Sequence, residues 1–223
     1  QMYAYVESVG EIRTDIDPLS VSRTDIEANI IRCPDPNVAD KMISLVEEVK
    51  ADGDSIGGTI RGIITGVPAG IGEPVFDKLS SDLGRAMLSI NAVKGFDIGS
   101  GFAGTKMRGS SHNDIFERDS SGNVTTRTNH AGGTLGGISN GQPITFRVAF
   151  KPVSTLSKEQ ETLDESNQPT TIAVKGRHDP CVLPRAVPIV DAMSALVVLD
   201  HIMRQDAQTL GLFSAKMKKT GEH

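Results

Sequence analysis

The chain has 223 residues, enough for one substantial core, with 23 Lys and Arg against 28 Asp and Glu and a net charge of −5 at pH 7. That balance, without any run of five basic residues, excludes a bulk phosphate-backbone partner, so no nucleic acid is expected. Cys33 and Cys181 are too few and too far apart for a zinc site or a secreted disulfide framework and read as free thiols of a reducing compartment; no apolar run is expected to span a membrane, and the first residues do not read as a signal peptide.

Asp35-Pro36 has the form of a helix start, a carboxylate for free amides followed by proline at the first helical position. Val38, Met42, Leu45, Val46 and Val49 then recur on one face, and Gly53 closes the segment. Thr59 to Val67 reads as β-rich. A second helix is expected to open at Pro74 and run about five turns, with Val75, Leu79, Leu83, Met87 and Ile90 at four-residue spacing and Gly95 as its left-handed terminator. Ile144, Phe146, Val148 and Phe150 alternate with Thr145, Arg147 and Ala149, as in a strand with one buried face. Thr125 to Thr128 and Thr170 to Val174 are shorter β-branched candidates. Residues 155–169, rich in Ser, Glu, Gln and Asn, read as a mobile loop. The longest helix is expected from near Val187 to about Gln208, apolar nearly all round and buried on most sides. Helices grouped with nonparallel strands and long loops define an α+β fold in a single domain spanning residues 1–223.

Gly99-Ser100-Gly101-Phe102-Ala103-Gly104 fits a dinucleotide fingerprint, but no periodic helix follows to aim free amides at a pyrophosphate, so it reads as a glycine-rich turn. Asn129 to Gly141 holds five glycines and His130 within thirteen residues; such a segment either lets backbone approach a ligand or is a flexible loop. Lys151-Pro152-Val153-Ser154-Thr155 follows a strand directly. One ammonium and two hydroxyls there suit a phosphate dianion, and an exposed strand-end lysine is the alternative. Gly176-Arg177-His178-Asp179-Pro180-Cys181 sets a guanidinium, an imidazole and a carboxylate before a proline and a long apolar segment, which is either a pocket-facing turn or a helix cap.

Taken in order, Ser89-Ile90-Asn91-Ala92-Val93-Lys94-Gly95-Phe96, Asn129-His130-Ala131-Gly132-Gly133 running on to Gly141, Lys151 to Thr155, and the Gly176 to Cys181 turn with Arg185-Ala186-Val187-Pro188 closely resemble the chorismate synthase family from about Gly53 to Asp206. The resemblance implies helices sandwiched between mostly antiparallel β-sheets, a homotetramer, and 1,4-trans elimination of phosphate from 5-enolpyruvylshikimate 3-phosphate to give chorismate. Reduced FMN is required in that reaction without net redox change, and NADPH is the other nucleotide associated with it. It further implies that Asn91, Ala92, Gly136, Lys151, Pro152, Val153, Ser154, Thr155 and Arg177 contact the flavin, and that Arg177 and Asp179 are catalytic, Asp179 managing a proton on the flavin's central ring. No metal is implied. His178 reads as structural, and Asp191 stands where the family has Glu with little effect expected. The family's histidine-bearing and Arg-rich motifs that precede this region are not in the sequence. The chain therefore reads as the C-terminal three-fifths of such an enzyme, inactive alone; the alternative is a non-catalytic core fragment that keeps scaffold and oligomer surface. Location is expected to be cytoplasmic, or plastid for a plant or alga.

Overall fold

A computed structural model describes residues 1–173, 176 and 178–211. The elements are β1 (Met2–Val9), β2 (Ile12–Arg13), α1 (Arg23–Glu27), α2 (Pro36–Ala51), β3 (Gly58–Ile64), α3 (Leu79–Leu88), β4 (Val93–Ile98), α4 (Gly109–His112), β5 (Phe116–Arg118), β6 (Val124–Thr126), β7 (Thr134–Leu135), β8 (Ile138–Ser139), β9 (Ile144–Phe150), β10 (Gln160–Leu163), β11 (Pro169–Ile172) and α5 (Leu183–Gln208), with 3₁₀ turns at Pro18–Ser20 and Gly101–Lys106. Five strands form one sheet in the order β2-β1-β3-β9-β4, every neighbouring pair antiparallel, and three further two-stranded hairpins are present among the described residues. The fold is α+β.

Register decides which side chains face the helices. Ala4 lies opposite Gly62 and Gly62 opposite Phe146, while Ile60 pairs with Val6 and Val148. These residues pack under α2, α3 and α5, joined by Met42, Leu79, Leu83, Met87, Leu183 and Val190 in one buried cluster. Gly62 is required there, because a Cβ would fall 2.1 Å from the Phe146 ring that fills the space. The second face carries a polar row: Tyr5, Arg61, Arg147 and Asp97 are successive partners across four strands. Arg147 pairs with Asp97, and buried Glu7 accepts from Arg61 and from Arg13 at 3.2 Å. Desolvated charges of this kind are retained only when paired and hydrogen-bonded.

α2 forms as its sequence demands. Asp35 accepts from Asn37 N and Val38 N, Pro36 fills the first turn, and Gly53, at φ 69°, closes the C-terminus with its N–H on Lys50 O. α5 begins at Leu183, four residues before the expected start. Pro184 fits the first turn, but Pro188 sits inside the helix and has no N–H for Pro184 O. Arg32 Nη1 donates to that orphaned oxygen instead, from a backbone held at φ 61°. Proline costs an interior helical bond, and a side chain from another element replaces it.

Several expectations are corrected. α3 spans ten residues rather than five turns: Pro74 to Lys78 forms an exposed turn with Val75 at φ 68°, and Gly95 lies within β4 while Ala92, at φ 69°, reverses the chain. α5 is buried along one stripe only, through Leu183, Val187, Val190, Ser194, Val198 and His201, whereas Leu196 (63% exposed), Leu199 (55%) and Met203 (62%) face outward. Contrary to the expectation of no long apolar run, α5 is long and apolar enough to cross a membrane by length and composition, yet its buried stripe packs on β1, β3 and α3. Residues 155–169 hold β10 and the turn of a hairpin to β11, where the Asp164 carboxylate accepts from Ser166 N and Gln168 N at 2.8 and 2.9 Å. In the described residues α2, α3 and α5 lie against the five-stranded antiparallel sheet, in keeping with the expected arrangement of helices with mostly antiparallel sheets.

Candidate functional site

β9 ends at Phe150, and Lys151 N donates to Ala92 O at 2.9 Å, which stitches the strand end to the turn after α3. A non-glycine residue at positive φ such as Ala92 is sterically costly by roughly 1–2 kcal/mol, so this turn is held by its surroundings. Close approach is built in alongside it. At Gly57 a Cβ would lie 2.3 Å from Phe150 O, so only glycine lets the strand leading into β3 pass the end of β9.

Lys151 Nζ donates to Ser154 Oγ at 2.9 Å and to Pro152 O at 3.1 Å, placing an ammonium and a hydroxyl together in solvent. Ser55 Oγ holds Val153 O at 2.7 Å. Thr155 lines a cleft of 310 Å³ with Lys50, Asp54, Ser157, Gly176 and His178. Asp54 there is held below the usual carboxylate range, first by the Lys158 ammonium 2.8 Å away and then by Ser55 N.

Asp179 reaches the same end of the sheet because Ile56 N binds Pro180 O at 2.8 Å, which ties its segment to the entry of β3. Its Oδ2 accepts from Arg185 Nη1 at 2.7 Å. Arg185 also lines a cleft of 440 Å³ with Ile90, Asn91, Phe150, Ile189 and Met193. Apolar walls with a few polar groups at the rim suit a flat ring system. Arg177 lies outside the described residues.

Asn91, Ala92, Lys151 to Thr155 and Asp179 thus gather at one end of the sheet. Gly136 does not join them. It sits in the β7–β8 turn, whose Gly137 O accepts from Leu79 N at the start of α3, whereas Asn91 follows the end of α3 about 15 Å along the helix axis. Space around Gly136 is open, with nothing near an added Cβ.

The glycine segment after Asn129 has an organiser that sequence reading missed. Buried Asp114 accepts from Thr128 Oγ1 at 2.6 Å, His130 N at 2.8 Å and Ala131 N at 2.9 Å. Burial opposes its ionisation, but these three donors outweigh it and hold the carboxyl below its ordinary range. No spacing in the sequence marks a carboxylate that faces two amides sixteen residues on. His130 stacks obliquely on His112, ring centroids 5.6 Å apart, and His112 Nε2 meets Ser100 Oγ at 2.8 Å. The glycine-rich Gly99 turn leads into a 3₁₀ turn, as its polar continuation implies. On α5, Asp191 pairs with Arg23 at 3.0 Å; burial pushes its carboxyl up, and Arg23 only partly offsets that.

Sheet, helices and this strand-end cluster define a class of α+β protein with a ring-sized cleft beside an ammonium and a carboxylate. Residues 1–203 match the family model described as chorismate synthase, and the chain belongs to that family. It is 54% identical over 208 residues to the chorismate synthase of Synechococcus elongatus, covering 93% of this chain and 58% of that protein, and 52% identical over 208 residues to that of Synechocystis sp., with the same coverage. A solved crystal structure of chorismate synthase superposes with a TM-score of 0.72 at 26% identity, covering 98% of this chain and 60% of that one. The chain therefore spans a little under three-fifths of the length of the curated relatives it matches.

Proposed function

We propose that this chain carries the flavin-facing part of a chorismate synthase, which eliminates phosphate from 5-enolpyruvylshikimate 3-phosphate in the presence of reduced FMN. The carbon–oxygen bond to phosphate breaks and a proton leaves a second ring carbon, so a new double bond forms and the overall redox state is unchanged. The observation that carries the reading is the Lys151 N to Ala92 O bond, which joins two family segments into one strand-end site beside Asp179. Donor chemistry fits the cofactor: Lys151 and Ser154 offer a charged and a neutral donor to a phosphate monoester, each charge-assisted bond contributing about 1.5–3 kcal/mol, and the adjacent apolar cleft suits the ring.

Reduced FMN, when bound, supplies electron density transiently to carbon–oxygen cleavage and recovers it. Lys151 with Ser154 anchors the phosphate, the Pro152 to Thr155 backbone shapes its seat, and Asn91 with Ala92 presents backbone to the ring. Gly136, open and at the far end of α3, is assigned to a contact of its own. Arg177 is assigned beside flavin and substrate. The Asp179 carboxylate takes and returns one proton at the flavin's central ring, through one of its oxygens or an intervening water. Oligomerisation, as a homotetramer, is supported by the outward apolar face of α5, and a cytoplasmic location by two buried free thiols. Asp179→Asn in a chain of full family length keeps shape and removes proton exchange. Single-turnover chorismate formation should fall by about 10²–10⁴-fold with the melting midpoint unchanged. A wild-type rate with a lowered midpoint makes Asp179 a structural cap instead.

A further inference from the structure

We propose that Arg185 is a positioning residue that fixes the Asp179 carboxylate at the mouth of the apolar cleft, an inference that rests on the proton role assigned above to Asp179. Arg185 Nη1 meets Asp179 Oδ2 at 2.7 Å. The bond fixes Oδ2 from the α5 side, and among the described residues no donor to Oδ1 is seen. Both partners sit on anchored backbone. Pro180 O accepts from Ile56 N, Leu183 is fully buried at the start of α5, and Arg32 secures Pro184 O between them. The guanidinium itself is not buried: the Arg185 side chain is 61% exposed and that of Asp179 29%. Exposed ion pairs contribute little to folding stability, so a packing role does not account for the pair. Arg185 meanwhile lines the 440 Å³ cleft with Asn91 and Phe150, so a single side chain spans from the ring-sized space to the carboxylate. Its planar fork fixes direction as well as charge, of which lysine reproduces only the charge.

The test is a double-mutant cycle in a chain of full family length, with Arg185→Gln, Arg185→Lys, Asp179→Asn and Asp179→Asn/Arg185→Gln assayed for single-turnover chorismate formation, substrate KM and melting midpoint. If Arg185 acts through Asp179, Arg185→Gln lowers turnover by about 10–100-fold with KM and midpoint near wild type, and Arg185→Lys or added guanidinium ion recovers part of it. In the Asp179→Asn background the same change should then cost nothing further. Equal losses in both backgrounds, or a midpoint fall that tracks the lost rate, overturn the inference while leaving Asp179 in its role. A wild-type rate for Asp179→Asn overturns both assignments together.

Discussion

The two ends of the sheet handle polar groups in opposite ways. At the start of β9, Asp114, Asn129 and Ser139 are wholly committed to structure: Asn129 Nδ2 donates to Pro143 O at 2.7 Å and its Oδ1 accepts from Gly133 N at 2.8 Å, and Ser139 Oγ bridges Pro68 O and Ile71 N. At the far end of β9, Lys151 spends its ammonium on a neighbouring hydroxyl and carbonyl in solvent, and Asp179 commits one oxygen. Saturated donors and acceptors hold a loop; spare capacity on an anchored backbone is what a ligand requires. By that criterion the proposed flavin site falls at the Lys151 end, and the Asp114 end is the clamp that shapes the glycine segment.

Five substitutions or probes sharpen this contrast, the largest effect first. Lys151→Ala should weaken FMN by about 1.5–3 kcal/mol, roughly 10–150-fold, and riboflavin hardly at all, because an ammonium serves the phosphate and not the ring; paired calorimetric titrations decide it. Equal weakening of both ligands would move Lys151 to the structural side. Asp114→Ala leaves two loop amides and the Thr128 hydroxyl unmatched and should cost about 1–3 kcal/mol in urea unfolding, with flavin ring affinity following only through the loop.

Asp114 and Asp191 should also separate in their pH dependence. The folded-state carboxyl of Asp114 lies below its ordinary 3.8, so its contribution is complete above that value and lost as pH falls through the folded one; Asp114→Asn flattens the acid limb of the stability curve. Asp191 behaves in the reverse sense, since burial raises it above 3.8 and stability is lost as pH rises from 3.8 through the higher folded value. Asp191→Asn should remove that decline, measured by thermal melts from pH 3 to pH 8. The smallest change is expected at the cysteines. Burial pushes both thiols up to about 11, so Cys33 and Cys181 should resist alkylation at pH 8 until denaturant is added.

How legible each region was follows from how local its causes are. α2 could be read to its caps, because Asp35, Pro36 and Gly53 act within one turn of themselves, and β9 showed its strict alternation because only one of its faces is buried. β1 gave no such signal: Ala4 and Val6 face the helices while Tyr5 and Glu7 are buried on the other face, so burial runs unbroken from Ala4 to Val9. The spacing starts α5 near Val187, where Pro188 fits a first turn, and only the bond from Arg32, 152 residues from Pro184, shows how the carbonyl freed by an interior proline is satisfied. α3 was overextended because the apolar spacing continued through Val75, whose φ of 68° no periodicity reveals. At the site, sequence motifs named the segments that meet at the strand end, but the partnership of Asp179 with Arg185 and the anchoring of the glycine segment by Asp114 arise only in three dimensions.

The central claim is a flavin-dependent elimination that leaves the redox balance untouched, and one measurement addresses it directly. A chain of full family length is incubated anaerobically with 5-enolpyruvylshikimate 3-phosphate and FMN, reduced or oxidised, while chorismate and inorganic phosphate are quantified together. The account predicts equal amounts of both products with reduced FMN, none with oxidised FMN, and no net consumption of reduced flavin. Product formation without reduced flavin, or reduced FMN consumed in proportion to product, would contradict it.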